Sequence, residues 1–481
     1  MMNDRNVVPE RRFSADDSIS VVETATGKRV DRRDFLRLTG MGAGALAAPA
    51  LLSGGRSVAE AAEVSGTVPN LLRNGTYPVG LWVAPPPGET TVARYAEIAD
   101  AGFTFVTGID GCGGFCPPGE TATAENAALL DAAAANDLDA IVYDHRISNI
   151  QNHPSEQWRD VIESILGEYQ DFPAFAGFDI RDEPNASAFA QIGGINDILG
   201  QLDPGVLGYV NLFPTYASAD MLGTPTYQEH LARYVSEARP DFISFDHYML
   251  VGARPTIRED YFYNWVLVRN QALQAGLPSW VFILACEHYG YRLPTDEELL
   301  WQVNVSLAYG CKGIQYFTYW TPPLPGFHEA LVTVDGQLTP LYYAAKRINN
   351  NYLQPVGKQL LPLTSESVAH FGEAQPSMGV EVFSGDEWVD SASGSAAILS
   401  RFHDPKRPNQ RWLLVANREF ESTANTTLTL HHTISAMFEF DTSERRYVPL
   451  EKAEPTGPAT LAVHLEPGEA KLYRLHANQG D

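Results

Sequence analysis

The stretch Phe175-Ala176-Gly177-Phe178-Asp179-Ile180 is apolar and strand-forming, then breaks into Arg181-Asp182-Glu183-Pro184. This is the pattern of a buried strand that empties into a functional loop. Proline keeps the residue before it out of the right-handed helical region, so Glu183 is expected to stay extended, with its carboxylate beyond the strand tip. A second apolar run, Trp280 to Cys286, ends in Glu287-His288-Tyr289. Two glutamates at two strand ends could supply the pair that double displacement at a glycosidic carbon requires. One carboxylic acid protonates the leaving oxygen, and one carboxylate about 5 Å away attacks the anomeric carbon. Asp182, a like charge beside Glu183, favours the protonated acid there, whereas Glu287 needs hydrogen-bond donors to stay ionised. Tyr248 or Arg181 are the donors the sequence offers.

Further polar and aromatic residues fall at other predicted strand ends: Asp144 and His145 after the third strand, Asn211 near the end of the fifth, and Asp246-His247-Tyr248 after the sixth. Asp182, Asp144, His145, Asn211, Asp246 and Tyr248 are therefore expected substrate-binding residues. Trp82 on the first strand and Trp320 after the eighth could each offer a flat apolar face to a sugar ring. Each also has an ordinary structural role open to it, as a loop carboxylate, a cap or a core ring. The histidines have no metal-ligand spacing, so no metal and no cofactor is expected.

Positioning these residues requires strands whose ends converge. Strand-like runs at 79–84, 103–107, 140–143, 174–180, 206–212, 242–245, 281–285 and 313–318 alternate with amphipathic stretches such as 91–101, 122–136, 155–169, 228–238, 261–275 and 296–309. Alternation of this kind predicts parallel βαβ units, and eight of them fit a closed (β/α)8 TIM barrel, whose catalytic groups sit at one face. An open doubly wound sheet fits less well, because no Gly-rich phosphate loop opens the first unit. A last helix over 341–353 closes the barrel. After Leu361 the chain changes to short alternating runs with turn residues, the pattern of a small C-terminal antiparallel β-sandwich. The reading divides the chain into a leader at 1–62, a catalytic barrel at 63–360 and a β-sandwich at 361–481.

The chain has 481 residues with 44% hydrophobic, enough for a sizeable core, and a formal net charge of -25. That charge argues against nucleic acid or an anionic membrane surface as a partner. Four cysteines are too few for a disulfide framework in a chain of this length. Cys112 and Cys116 are spaced for a local disulfide, and Cys286 and Cys311 read as buried thiols. Near the start, Arg32-Arg33 and Phe35-Leu36 precede a Gly/Ala-rich run, and Ala59-Glu60-Ala61 offers a small-residue cleavage site. This segment resembles a twin-arginine translocation signal, which implies export by the twin-arginine machinery to a secreted, periplasmic or cell-surface location. It is short and poorly apolar for a membrane anchor.

The strand-end glutamates, Asp182-Glu183-Pro184, and the segment Tyr309-Gly310-Cys311-Lys312-Gly313-Ile314-Gln315-Tyr316-Phe317-Thr318-Tyr319-Trp320 resemble the retaining glycoside hydrolases with catalytic glutamates on strands four and seven. Within that clan the likeness is to the β-galactosidases of family 42, over residues 78 to 476. The resemblance implies Glu183 as acid/base, Glu287 as nucleophile, and an oligo- or polysaccharide substrate. It departs at Asp182, where most of the clan has Asn, so a hydrogen-bond donor to the sugar 2-hydroxyl becomes an acceptor. The competing readings are a non-catalytic carbohydrate-binding barrel and a polysaccharide lyase using Tyr248 and His247 as bases.

Overall fold

The computed structural model describes residues 22–23, 29–30, 69–73, 75–108, 123–451 and 459–478. The Arg32-Arg33 leader and the loop carrying Cys112 and Cys116 lie outside them. Eight parallel strands form the first sheet: β1 (Val79–Leu81), β2 (Phe105–Gly108), β3 (Asp139–Tyr143), β4 (Phe175–Asp182), β5 (Leu207–Leu212), β6 (Ile243–Asp246), β7 (Ser279–Leu284) and β8 (Gly313–Phe317). Their order is β1-β8-β7-β6-β5-β4-β3-β2. The seam between β1 and β2 is joined through Thr104, whose backbone N–H donates to Val79 O at 2.8 Å while its Oγ1 accepts from Val79 N at 3.0 Å. This gives the (β/α)8 barrel.

Strands covered on both faces are buried along their whole length rather than at alternate residues, as β5 and β7 show. Trp280 fills the lower barrel against Phe105 and Phe242, with ring centroids 5.2 and 4.8 Å away. Gly80 is required beside them, because a Cβ there would lie 2.1 Å from the Phe105 ring. The first strand, read as 79–84, stops at Leu81, and other ends shift by a residue or two; two of the shifts bear on the site. β4 runs on to Asp182 because Asp182 still pairs with Asn211 of β5. β7 stops at Leu284, where its partner β8 ends at Phe317, and one further bond, Ala285 N to Phe317 O at 2.7 Å, closes the ladder.

The helix Asp296–Ala308 begins with a capping box between Thr295 and Glu298, which satisfies two backbone donors that the first helical turn would otherwise leave open. It is buried nearly all round because the C-terminal region covers its outer face. Trp301 Nε1 donates to Arg418 O at 3.1 Å and Asn304 Nδ2 to Gly468 O at 2.7 Å. The covering unit is the β-sandwich. Its larger sheet joins β9 (Thr364–Phe371), β10 (Glu381–Val382), β12 (Ala397–His403), β13 (Gln410–Asn417), β15 (Ile434–Asp441), β16 (Arg446–Leu450) and β18 (Ala470–Ala477); the smaller joins β11 (Val389–Gly394), β14 (Ala424–Leu430) and β17 (Thr460–Leu465). All pairs are antiparallel except β9 with the two-residue β10. On β14 and β17, buried and accessible residues alternate, so one face of the smaller sheet meets the core around Trp388, Leu428 and Tyr473.

Candidate active site

At the C-terminal ends of the barrel strands lies a narrow cavity open to solvent. It is lined by Trp82, Asp182, Glu183, Asn211, Asp246 and Tyr248 together with Phe282, His288, Tyr289, Phe317 and Phe327. Six residues expected from the sequence therefore meet here, and five aromatic ones join them. Asp182 and Asp246 are the last residues of β4 and β6, and Glu183 follows Asp182 directly. Glu183, Asn211 and Asp246 are buried, at 8%, 3% and 2% exposure. Among the described residues the lining contains three carboxyl groups and one imidazole, and neither Lys nor Arg.

Asn211 organises the carboxyl groups. Its Nδ2 donates to Asp182 Oδ1 at 3.3 Å and to Asp246 Oδ1 at 3.1 Å, so one amide group ties the ends of β4 and β6 together. Its Oδ1 accepts from Ser244 Oγ at 3.0 Å, and Ser244 is held in turn by Tyr209 and Gln315 inside the barrel. Ionised carboxylates only accept, so the amide has one satisfied orientation, and the network below fixes it. Glu183 itself is not extended. Its φ is 42°, in the left-handed region rather than the extended region that a following proline favours. The Glu183 N–H still donates to Asn211 O at 2.8 Å. Such backbone persists in a non-glycine residue only where its surroundings hold it.

Glu287 lies outside the cavity lining, and its side chain is exposed. The chain beyond β7 pairs with residues 326–329: Glu287 N donates to Glu329 O at 2.8 Å, His328 N to Glu287 O at 3.0 Å, and Tyr289 N to Gly326 O at 3.0 Å. Extended pairing alternates side chains between faces, so placing His288 in the cavity puts Glu287 on the other side. His288 Nδ1 lies 3.0 Å from Cys286 O, and its ring stacks on Phe327. Gly326 is needed for this packing, since it has φ 91° and a Cβ there would meet the Tyr289 ring at 2.5 Å.

Trp320, Asp144, His145, Arg181 and His247 lie outside the lining of this cavity. Trp320 is buried behind the mouth, with the Arg94 guanidinium 5.4 Å from its ring, and Phe317 presents its ring to the cavity instead. Asp144 caps the short helix His145–Ser148 and accepts from Arg146 and from Tyr169 Oη at 2.9 Å. Burial pushes its carboxyl up, but those bonds and the Arg146 charge hold it below the ordinary range. Neither Asp144 nor its neighbour His145 lines the cavity. Arg181 spends its Nη2 on Ser148 O at 2.7 Å. His247 is also outside the lining, with Nε2 3.2 Å from Asp260 Oδ1, so the pair Tyr248 and His247 does not meet in the cavity as a lyase would require. Cys286 and Cys311 are buried free thiols, as expected, each pushed up to about 12 by burial.

No family model and no curated protein matches the sequence. Solved structures do align. One described as a glycoside hydrolase gives a TM-score of 0.51 at 12% identity, over 84% of this chain and 93% of that one. A family 5 glycoside hydrolase from Bacteroides vulgatus gives 0.48 at 11% identity, over 84% and 89%. A family 39 glycoside hydrolase from the gut symbiont Bacteroides cellulosilyticus gives 0.45 at 12% identity, over 85% and 82%. The likeness is one of fold, the (β/α)8 barrel followed by a β-sandwich.

Proposed function

We propose that the protein is a retaining glycoside hydrolase in which Glu183 is the acid/base and Asp246 the nucleophile. The observation that carries this reading is the Asn211 amide bonded to both Asp182 and Asp246, with Glu183 alongside in one aromatic-walled cavity. Two hydrogen bonds to one nitrogen hold the Asp182 and Asp246 carboxyl groups close together, and Glu183, next to Asp182, lines the same cavity; double displacement uses a carboxyl pair about 5 Å apart. Glu183, buried and next to Asp182, is suited to carry the proton for the leaving oxygen. Asp246, held by Asn211, attacks the anomeric carbon. Water then enters with Glu183 as base and releases the sugar. Trp82, Tyr248, Phe282, Phe317 and Phe327 supply the apolar faces that sugar rings pack against.

The sequence-based nucleophile, Glu287, is replaced in this proposal because it faces away from the cavity. The family 42 resemblance makes β-galactosides the first substrates to try. From the twin-arginine pattern we also propose export, with a mature chain starting near residue 62. The deciding experiment incubates the protein with a panel of 2-deoxy-2-fluoro glycosides and maps any covalent label by peptide mass. Label on Asp246 supports the assignment; label on Glu287 restores the strand-seven nucleophile. Turnover without label, and with inverted product in NMR, sinks the retaining course. No label and no hydrolysis of any glycan favours the non-catalytic binding protein.

A further inference from the structure

A second and larger cavity, of about 320 Å³, lies at the opposite end of the barrel, where β7 and β8 begin and β9 of the sandwich passes. Leu273, Leu277, Leu363 and Trp280 form its apolar wall, and Arg269 and Lys312 are its only charged lining residues among those described. Arg269 Nε donates to Ser365 Oγ at 2.9 Å, but its buried Nη2 has no acceptor among the described residues. Lys312 Nζ donates to Leu360 O and Leu363 O at 2.6 Å each, leaving one of three ammonium hydrogens. Glu381 is near enough to act on Arg269, yet it is exposed and does not line the cavity.

An unmet guanidinium donor beside a second cation is costly in low-dielectric surroundings, and an oxyanion relieves both deficits through the planar fork that arginine presents. The apolar wall discriminates further, because an inorganic ion would leave it wet while an organic body would cover it. We propose that this cavity binds a small organic carboxylate, with the carboxylate on Arg269 and Lys312 and the body against Leu273, Leu277 and Trp280. The site is independent of the carboxyl cluster at the other end of the barrel.

The test is isothermal titration of the purified protein with benzoate, sulfate and chloride at matched ionic strength, alongside thermal melts. Benzoate should bind one saturable site and raise Tm by about 3 °C at a hundredfold excess over Kd, with sulfate at least tenfold weaker. Arg269→Gln should lose that binding. Leu273→Trp, at a position 40% exposed, should lose it by filling the cavity without touching a charge. It decides the question alone if Arg269→Gln does not fold. No saturable benzoate heat beyond the chloride control, sulfate binding as tight as benzoate, or benzoate binding that survives Leu273→Trp overturns the proposal.

Discussion

Glu183 and Glu287 are the same residue type at two strand ends, and their surroundings give them opposite fates. Glu183 is buried at φ 42° beside Asp182, while Glu287 is exposed in a paired loop. Glu183→Gln and Asp246→Asn should each lose at least about 100-fold in kcat, with Glu183→Gln sparing aryl glycosides that have good leaving groups. Glu287→Gln should stay within about twofold of wild type, since its side chain meets no reacting atom in this arrangement. Steady-state kinetics on whichever aryl glycoside the wild type turns over separates these outcomes. A collapse of Glu287→Gln with Asp246→Asn unaffected would reverse the assignment. Asn211→Leu removes the donor shared by Asp182 and Asp246 and should cost activity while the barrel still folds; wild-type kcat in that variant would deny Asn211 its positioning role.

At the scale of the element, the strand ends are set by neighbours as much as by local sequence. Gly177 in β4 stands where a Cβ would lie 2.2 Å from Leu207 O of β5, a backbone atom that cannot move aside. Gly177→Ala should therefore destabilise by roughly 1–3 kcal/mol or more, read as a lowered urea midpoint at unchanged m-value. Thr295→Ala removes one half of the capping box on Asp296–Ala308 and should cost about 1 kcal/mol. The sequence reading found most helices but passed over Phe189–Leu202, where Gly193 and Gly194 interrupt the pattern of helix formers. Those glycines are explained only by tertiary contact: a Cβ on Gly193 would strike Glu237 O at 2.1 Å.

For the whole molecule, acid is the expected weakness. His230 is fully buried, its Nδ1 2.8 Å from Leu222 O, and burial pulls it down to about 4. A folded pKa below the unfolded one means its stability contribution is complete above about pH 6.5 and is lost as pH falls toward 4, by about 3 kcal/mol. Denaturation midpoints measured between pH 7 and 4 should fall in wild type and fall less in His230→Gln. An equal slope in both would count against this group. The junction between barrel and sandwich adds to the effect at lower pH. Tyr309 Oη lies 3.0 Å from His370 Nε2, and His370 Nδ1 lies 3.1 Å from Glu373, which Arg418 also contacts. Burial pushes Glu373 up, but the His370 and Ser377 bonds and the Arg418 charge hold it well below the carboxylate range, so its contribution is lost as pH drops below about 4.5.

The fold and half of the site were legible because both depend on local pattern. Apolar runs punctuated by charge mark strands and their ends, and a repeat of eight implies a closed parallel barrel with its chemistry at one mouth. That placed Asp182, Glu183, Asn211, Asp246, Tyr248 and Trp82 at the mouth. Tertiary structure decided the rest, for three physical reasons. Which face a loop residue presents depends on its pairing partner, so the 326–329 segment turned His288 inward and Glu287 outward. Which aromatic ring reaches the cavity depends on where β8 ends, which favoured Phe317 over Trp320. Whether a carboxylate is free for substrate depends on neighbours distant in sequence, and Tyr169 holds Asp144 in place while Asn211 joins Asp182 to Asp246.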